Sequence, residues 1–181
     1  MRVAVLCEFS GTVRDAFTAK GHSAFSCDLL PSETHGEHYM QDCLSLDFSN
    51  VDIVIAHPPC THLSVSGADC FKFKEKEQEE ALAFVRAILA IPVPALCMEN
   101  PVSIISTRIQ KPSQIIQPWM FGHGETKATC LWLKNLPLLK STDVVPGRLD
   151  RIHKLSPSPE RWKIRSRTYP GIACAMAEQW G

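Results

Sequence analysis

Cys60 stands behind two prolines, in the run His57-Pro58-Pro59-Cys60-Thr61-His62. The prolines fix the backbone and so the direction of the next side chain. A cysteine held this way is suited to nucleophilic attack, and a merely buried cysteine would not need it. His57 and His62 are near enough in sequence to tune the thiol. Glu99-Asn100-Pro101 follows, with Glu99 lying 39 residues after Cys60. A glutamate at the tip of a buried strand can hold or deliver a proton. Earlier in the chain, Glu8-Phe9-Ser10-Gly11-Thr12 places a glycine between apolar segments, where backbone can approach a ligand. Asp28 lies 17 residues after Gly11. An acid about 20 residues beyond such a turn binds ribose hydroxyls in dinucleotide-type folds.

These residues need elements to position them. Val3–Phe9 is a continuous apolar run, the pattern of a strand buried on both faces. Val13, Ala16 and Phe17 fall at helical spacing, with Gly21 as the stop. Ser23–Leu29, Val51–Ala56, Ala95–Met98 and Ala128–Leu133 read as further strands, and Pro31–Tyr39 as a loop. Glu75–Ile91 is the clearest helix, ended by Pro92 and Pro94. Ser103–Ile109 reads as a short helix, and Pro170 opens a last one through Gln179. Strands alternating with helices predict an α/β fold, a mainly parallel sheet with helices on both faces. Each chemically unusual residue then follows a strand, and in open α/β sheets ligands bind at those carboxyl ends. One crevice is expected to collect Phe9–Gly11, Asp28, the Pro58–Cys60 turn and Glu99.

Composition narrows the classes. The chain of 181 residues carries 19 basic and 19 acidic side chains. Its overall charge therefore signals no partner, and a local patch must carry any binding to nucleic acid. No apolar run reaches the ~20 residues needed to span a bilayer. The N-terminus enters a strand pattern without a signal-peptide core, which predicts a cytoplasmic protein. The eight cysteines contain no C-x-x-C pair and read mostly as small buried hydrophobes, with no metal site expected. His35 and His38 sit in a polar stretch read as solvated loop. Three parts are expected within a single domain: a core over 1–134, an irregular segment over 135–167, and a helix over 168–181 that returns to the core.

Pro58-Pro59-Cys60 and Glu99-Asn100 together resemble the DNA (cytosine-5)-methyltransferases. The other landmarks stand in that family's order. Phe9-Ser10-Gly11 is similar to its S-adenosylmethionine loop. Asp28 and Asp42 occupy the positions of acids that contact the cofactor ribose and adenine. Phe121-Gly122, Lys127 and Cys130–Leu133 resemble its arginine-bearing motif, and Tyr169–Ala173 with Ala177-Glu178 its last motif. The likeness spans nearly the whole chain and is nearest to short phage-borne members, which would place the protein in a bacterial cytoplasm. It implies a Rossmann-like methyltransferase fold with S-adenosylmethionine as cofactor and double-stranded DNA as partner. Cys60, Glu99 and Lys127 would be the catalytic set. Phe9, Ser10, Gly11, Thr12, Asp28, Asp42 and Pro58 would bind the cofactor. The implied mechanism has Cys60 attack C6 of cytosine, Glu99 bind the N3 edge, and carbon 5 take the methyl group, with the base flipped out of the duplex.

The chain departs from that pattern at named places. Val13 replaces the second glycine of the cofactor loop, His57 a glycine before Pro-Pro, Thr61 a glutamine, Pro101 a valine and Lys127 an arginine. The span between the last two motifs, where the family carries its target-recognition region, is only some thirty residues, far below the size of a recognition domain. RNA or a free cytosine nucleotide is therefore an alternative substrate. A degenerate, non-catalytic nucleic-acid-binding fold is another alternative. An unrelated cysteine enzyme pairing Cys60 with His57, His62 or His123 is the last. A homodimer would supply extra DNA-binding surface. Candidate phosphate contacts are Lys72, Lys74, Lys76, Arg148, Arg151, Lys154, Arg161, Lys163, Arg165 and Arg167, with Trp162 as a base-stacking ring. Gly67 is a candidate hinge for a loop closing over the target.

Overall fold

A computed structural model of the chain describes residues 1–65, 74–152 and 154–181. Cys70, Lys72 and the hinge candidate Gly67 lie outside the described residues. The fully buried apolar runs form the central strands: β1 (Arg2–Leu6), β2 (Ser23–Asp28), β4 (Ile53–Ala56) and β5 (Ala95–Pro101). Two short strands, β3 (His38–Met40) and β6 (Gln114–Ile116), and a longer β7 (Thr129–Lys134) complete the sheet. The order is β3-β2-β1-β4-β5-β7-β6. β1 to β5 are parallel, and β7 runs antiparallel to both β5 and β6.

Strand alternation feeds two cores. Val3, Val5, Ile53 and Ile55 face α1 (Thr12–Ala19) and α5 (Pro170–Trp180), meeting Phe17, Ile172 and Met176. Ala4, Leu6, Val54, Leu96 and Met98 face α2 (Glu75–Leu89), meeting Leu82, Val85 and Ile88, and Ile105 of the short α3 (Ile105–Arg108) belongs to the same core. Both faces of the sheet are thus covered by helices, the expected α/β architecture. Each fully buried aliphatic side chain contributes about 1.5–3 kcal/mol, which gives the central strands a rigid bed.

Three boundaries differ from the sequence reading. β3 overlaps the end of the stretch read as loop. Its residues are largely exposed, and it forms by pairing with β2 at the sheet edge. Glu99 and Asn100 lie within β5, because β7 continues its pairing with Glu99 opposite Leu131. The segment 135–167 is mostly irregular but contains α4 (Arg161–Ser166) and buries Leu139 in the core. No helix among the described residues is long and apolar enough to cross a membrane.

The chain runs outward from β1 through β2 to β3, then crosses back to β4 and β5 on the other side. The direction of winding reverses between β1 and β4, and ligands bind outside the sheet at such a point.

Candidate functional site at the strand tips

β1 ends in a sharp change of direction. Cys7 takes a left-handed backbone with φ 56°, unusual for a residue with a side chain. Glu8 is thereby turned into the protein, 4% exposed. Its Oε1 accepts from the Val13 backbone N–H at 2.7 Å and its Oε2 from that of Arg14 at 3.2 Å. The carboxylate thus takes up free N–H groups at the first turn of α1 and favours its positive end. Burial pushes the Glu8 carboxyl up, while His57 and the two backbone donors oppose it. The sequence reading names Glu8 within this turn but assigns it no role; its signal is an acid just ahead of a helix.

Gly11 caps α1 with φ 73°. The space where its Cβ would project is filled by Thr34 and Arg14 of the same chain. Arg14, 1% exposed, was also missed, because a helical arginine ordinarily faces water. Its guanidinium donates to Ser26 Oγ at 3.0 Å, Thr34 Oγ1 at 2.6 Å and the His35 carbonyl at 3.1 Å. The loop after β2 is thereby pinned over the Phe9–Gly11 turn, where Glu33 N–H donates to the Phe9 carbonyl at 2.8 Å. Ser10 bonds Thr12 at 3.1 Å through their hydroxyls.

β4 delivers the second tip. His57 N–H donates to the Leu6 carbonyl at 2.9 Å, which fixes this tip beside the first. Buried Asn100 donates from Nδ2 to the Pro58 carbonyl at 2.8 Å and ties the proline turn to β5. The Cys60 carbonyl accepts from the N–H groups of Leu63 and Ser64, and fully buried Leu63 anchors the turn. Burial pushes the Cys60 thiol up and the Glu99 charge adds to this, while Lys127 and Arg165 pull the other way. For Glu99, burial raises the carboxyl, but the His57 hydrogen bond and the Lys127 charge outweigh it and the net shift is downward. His57 Nδ1 lies 3.3 Å from Glu99 Oε2. Cys60, Glu99 and Lys127, far apart in sequence, therefore act on one another electrostatically, with His57 joined to them.

Lys127 Nζ donates to the carbonyls of Arg165 and Arg167 at 2.8 and 3.2 Å. This fastens the strap of α4 and residues 167–168 over the site. Arg167 pairs with Glu33 at 2.7 Å, and the Trp162 ring lies 5.7 Å from that of Phe9. Between strap and tips lies a small crevice of about 30 Å³, room for a water or two, partly open to solvent. Its walls include Cys7, Glu8, Phe9, His57 and Arg167. The crevice sits at the point where the sheet winding reverses.

The remaining expected residues stand nearby in local roles. Asp28 ends β2 and accepts from Leu30 N–H at 2.9 Å. Asp42 is exposed and accepts from Leu44 N–H at 2.9 Å, starting a 3-10 turn. Cys7 and Cys43 bring their sulfurs to 3.9 Å. Among the described residues, no group of three or more His, Cys, Asp or Glu is arranged to hold a metal ion.

The candidate phosphate contacts are largely engaged within the chain. Arg151 pairs with Glu125, Lys154 with Asp150 at 3.0 Å and Lys163 with Glu160 at 3.3 Å. Arg148 stacks over Trp119 with 3.8 Å to the ring centre. Trp162 is 51% exposed and leaves one face to solvent. His38, expected in solvent, is half-buried and bonds Ser26 Oγ at 2.8 Å. No protein-family model matches the chain, and no curated protein matches it.

Proposed function

We propose that the protein transfers a methyl group from S-adenosylmethionine to carbon 5 of cytosine in DNA, through a covalent bond from Cys60 to C6. One observation carries the reading: the His57–Glu99 contact at 3.3 Å and the Asn100 hydrogen bond to the Pro58 carbonyl at 2.8 Å draw the Cys60 turn and Glu99 together where the sheet winding reverses. The donor set suits the cofactor. Phe9 offers an apolar wall, Asp28 and Asp42 offer acceptors at neighbouring tips, and Ser10 and Pro58 border the same turns. The parallel 3-2-1-4-5 strand order is that of nucleotide-binding sheets, which favours an adenosyl ligand. S-adenosylmethionine supplies an electrophilic methyl group.

The chain's own residues do the rest. Cys60 is stored as a thiol, because burial and Glu99 oppose its charge. Loss of its proton makes the nucleophile. Glu99 holds the N3 edge of the pyrimidine, where a proton from its carboxyl neutralises charge developing in the ring as the Cys60–C6 bond forms. Lys127 places a cation beside Glu99 and Cys60 and is suited to the pyrimidine O2 once it leaves the strap carbonyls. After carbon 5 has been methylated, loss of its proton expels Cys60 and restores the aromatic ring.

A free cytosine nucleotide or RNA is the second reading. It is favoured by the internal pairing of Arg151, Lys154 and Lys163, which leaves less free charge for a long duplex. The test is transfer of labelled methyl to duplex DNA, RNA and dCMP in parallel, with Cys60→Ala as control. Label in 5-methylcytosine of DNA, lost in the variant, is the expected result. Label only in RNA or dCMP moves the assignment to the second reading. No label in any substrate from folded protein removes both.

A further inference from the structure

The two nitrogens of His57 have different surroundings. The side chain is 8% exposed. Nδ1 faces Glu99 Oε2 at 3.3 Å. Nε2 is buried and has no hydrogen-bonding partner, and His57 is one of the residues that line the crevice. Buried polar atoms are nearly always paired, and an orphan beside a water-sized opening calls for an explanation. The ring is also held firmly: its backbone N–H is tied to Leu6, and Pro58 follows it.

We propose that His57 relays protons between the crevice and Glu99. The direction of travel rests on the methyltransferase reading; the relay does not. In the resting state Nδ1–H donates to the Glu99 carboxylate and Nε2 carries the lone pair, because a carboxylate neighbour selects that tautomer. A water or a ligand N–H in the crevice gives a proton to Nε2. As that bond forms, the Nδ1–H bond breaks and its proton passes to Oε2 of Glu99. The imidazole ends neutral in its other tautomer, Glu99 ends as a carboxylic acid, and the donor is one proton short. Reversal returns the proton.

Such a relay answers a problem the site poses. Glu99 is held ionised by His57 and Lys127, yet it must present a proton to N3. The charged groups near the ring are Glu8 from the β1 tip, Glu99 from β5 and, across the crevice, Arg167 from the strap, while Lys127 acts on Glu99.

The experiment combines nitrogen-15 NMR of the histidine rings with pH–rate profiles. Wild-type protein is expected to show His57 in the Nδ1–H tautomer, and Glu99→Gln to disturb it. His57→Asn keeps a donor near the Nδ1 position but has no second ring nitrogen. It is expected to lose about 10²-fold in methyl transfer at neutral pH. That deficit should shrink toward acid pH, where solvent protonates Glu99 directly. A profile parallel to wild type at all pH values would make His57 merely structural and overturn the relay. So would an Nε2–H tautomer in the free protein. If wild type transfers no methyl group, the methyltransferase reading fails and the tautomer and its response to Glu99→Gln decide the relay alone.

Discussion

Replacing Arg14 by Met tests how the crevice is held open to chemistry. Methionine keeps the length of the stem, so loss of packing is small and the change isolates the guanidinium. Several partners would survive its loss. Ser26 keeps His38, the Thr34 carbonyl keeps the Ser32 hydroxyl, and the Thr34 hydroxyl keeps Asp15. The His35 carbonyl and the acceptor side of Thr34 Oγ1 lose a charged donor. At about 1.5 kcal/mol for each of these two bonds, the loss is about 3 kcal/mol. The pair with Asp15 adds little, since the Asp15 side chain is 43% exposed. A cost of about 3 kcal/mol corresponds to a fall of about 10 °C in Tm for a domain of this size. Urea unfolding followed by circular dichroism measures it, as a lower midpoint at unchanged slope. Arg14→Lys restores the charge without the planar fork and should recover less than half of the loss. A change below about 1 kcal/mol in Arg14→Met would refute the claim that this side chain pins the loop.

Three other outcomes follow from the site. Glu99→Gln removes the charge that helps hold the Cys60 thiol up, so alkylation of Cys60 by iodoacetamide at pH 7.5, mapped by peptide mass, should accelerate; an unchanged rate would place Glu99 too far from the sulfur to matter. The folded-state pKa of Glu8 is raised above its ordinary value of 4.5, so its contribution to stability is full below that pH and is lost as pH rises. Urea midpoints between pH 4.5 and 7 should fall in wild type more than in Glu8→Gln, and parallel curves would contradict the shift. Gly171→Ala drives a methyl group into the Phe121 carbonyl and should cost about 1–3 kcal/mol, read as a lower urea midpoint; an unchanged midpoint would mean that α5 shifts freely.

The parts of the molecule legible in the sequence are those whose signal is local. β1, β4 and the start of β5 are runs of buried aliphatics, and no other environment suits them. The meeting of the Cys60 turn with Glu99 followed from strand order alone. β3 was not legible, because His38-Tyr39-Met40 forms a strand only through its partner β2 at the sheet edge. The strand character of Glu99 and Asn100 depends on antiparallel β7, some thirty residues away, and parallel alternation does not anticipate it. Glu8 and Arg14 were invisible for another reason. Each is a charged residue whose burial is made possible by tertiary partners, helix N–H groups for Glu8 and the loop after β2 for Arg14. Val13 shows how the two levels join: its apolar side chain packs in the core while its backbone N–H is capped by Glu8.

The covalent step is the central claim. Its most direct measurement uses an oligonucleotide carrying 5-fluorocytosine, incubated with the protein and S-adenosylmethionine and followed by intact and peptide mass. Fluorine cannot leave carbon 5 as a proton does, so the bond from Cys60 to C6 should persist. The account predicts a one-to-one adduct on the Cys60 peptide that depends on S-adenosylmethionine and is absent in Cys60→Ala. An adduct on another cysteine, or folded protein that binds both ligands and forms none, would contradict it.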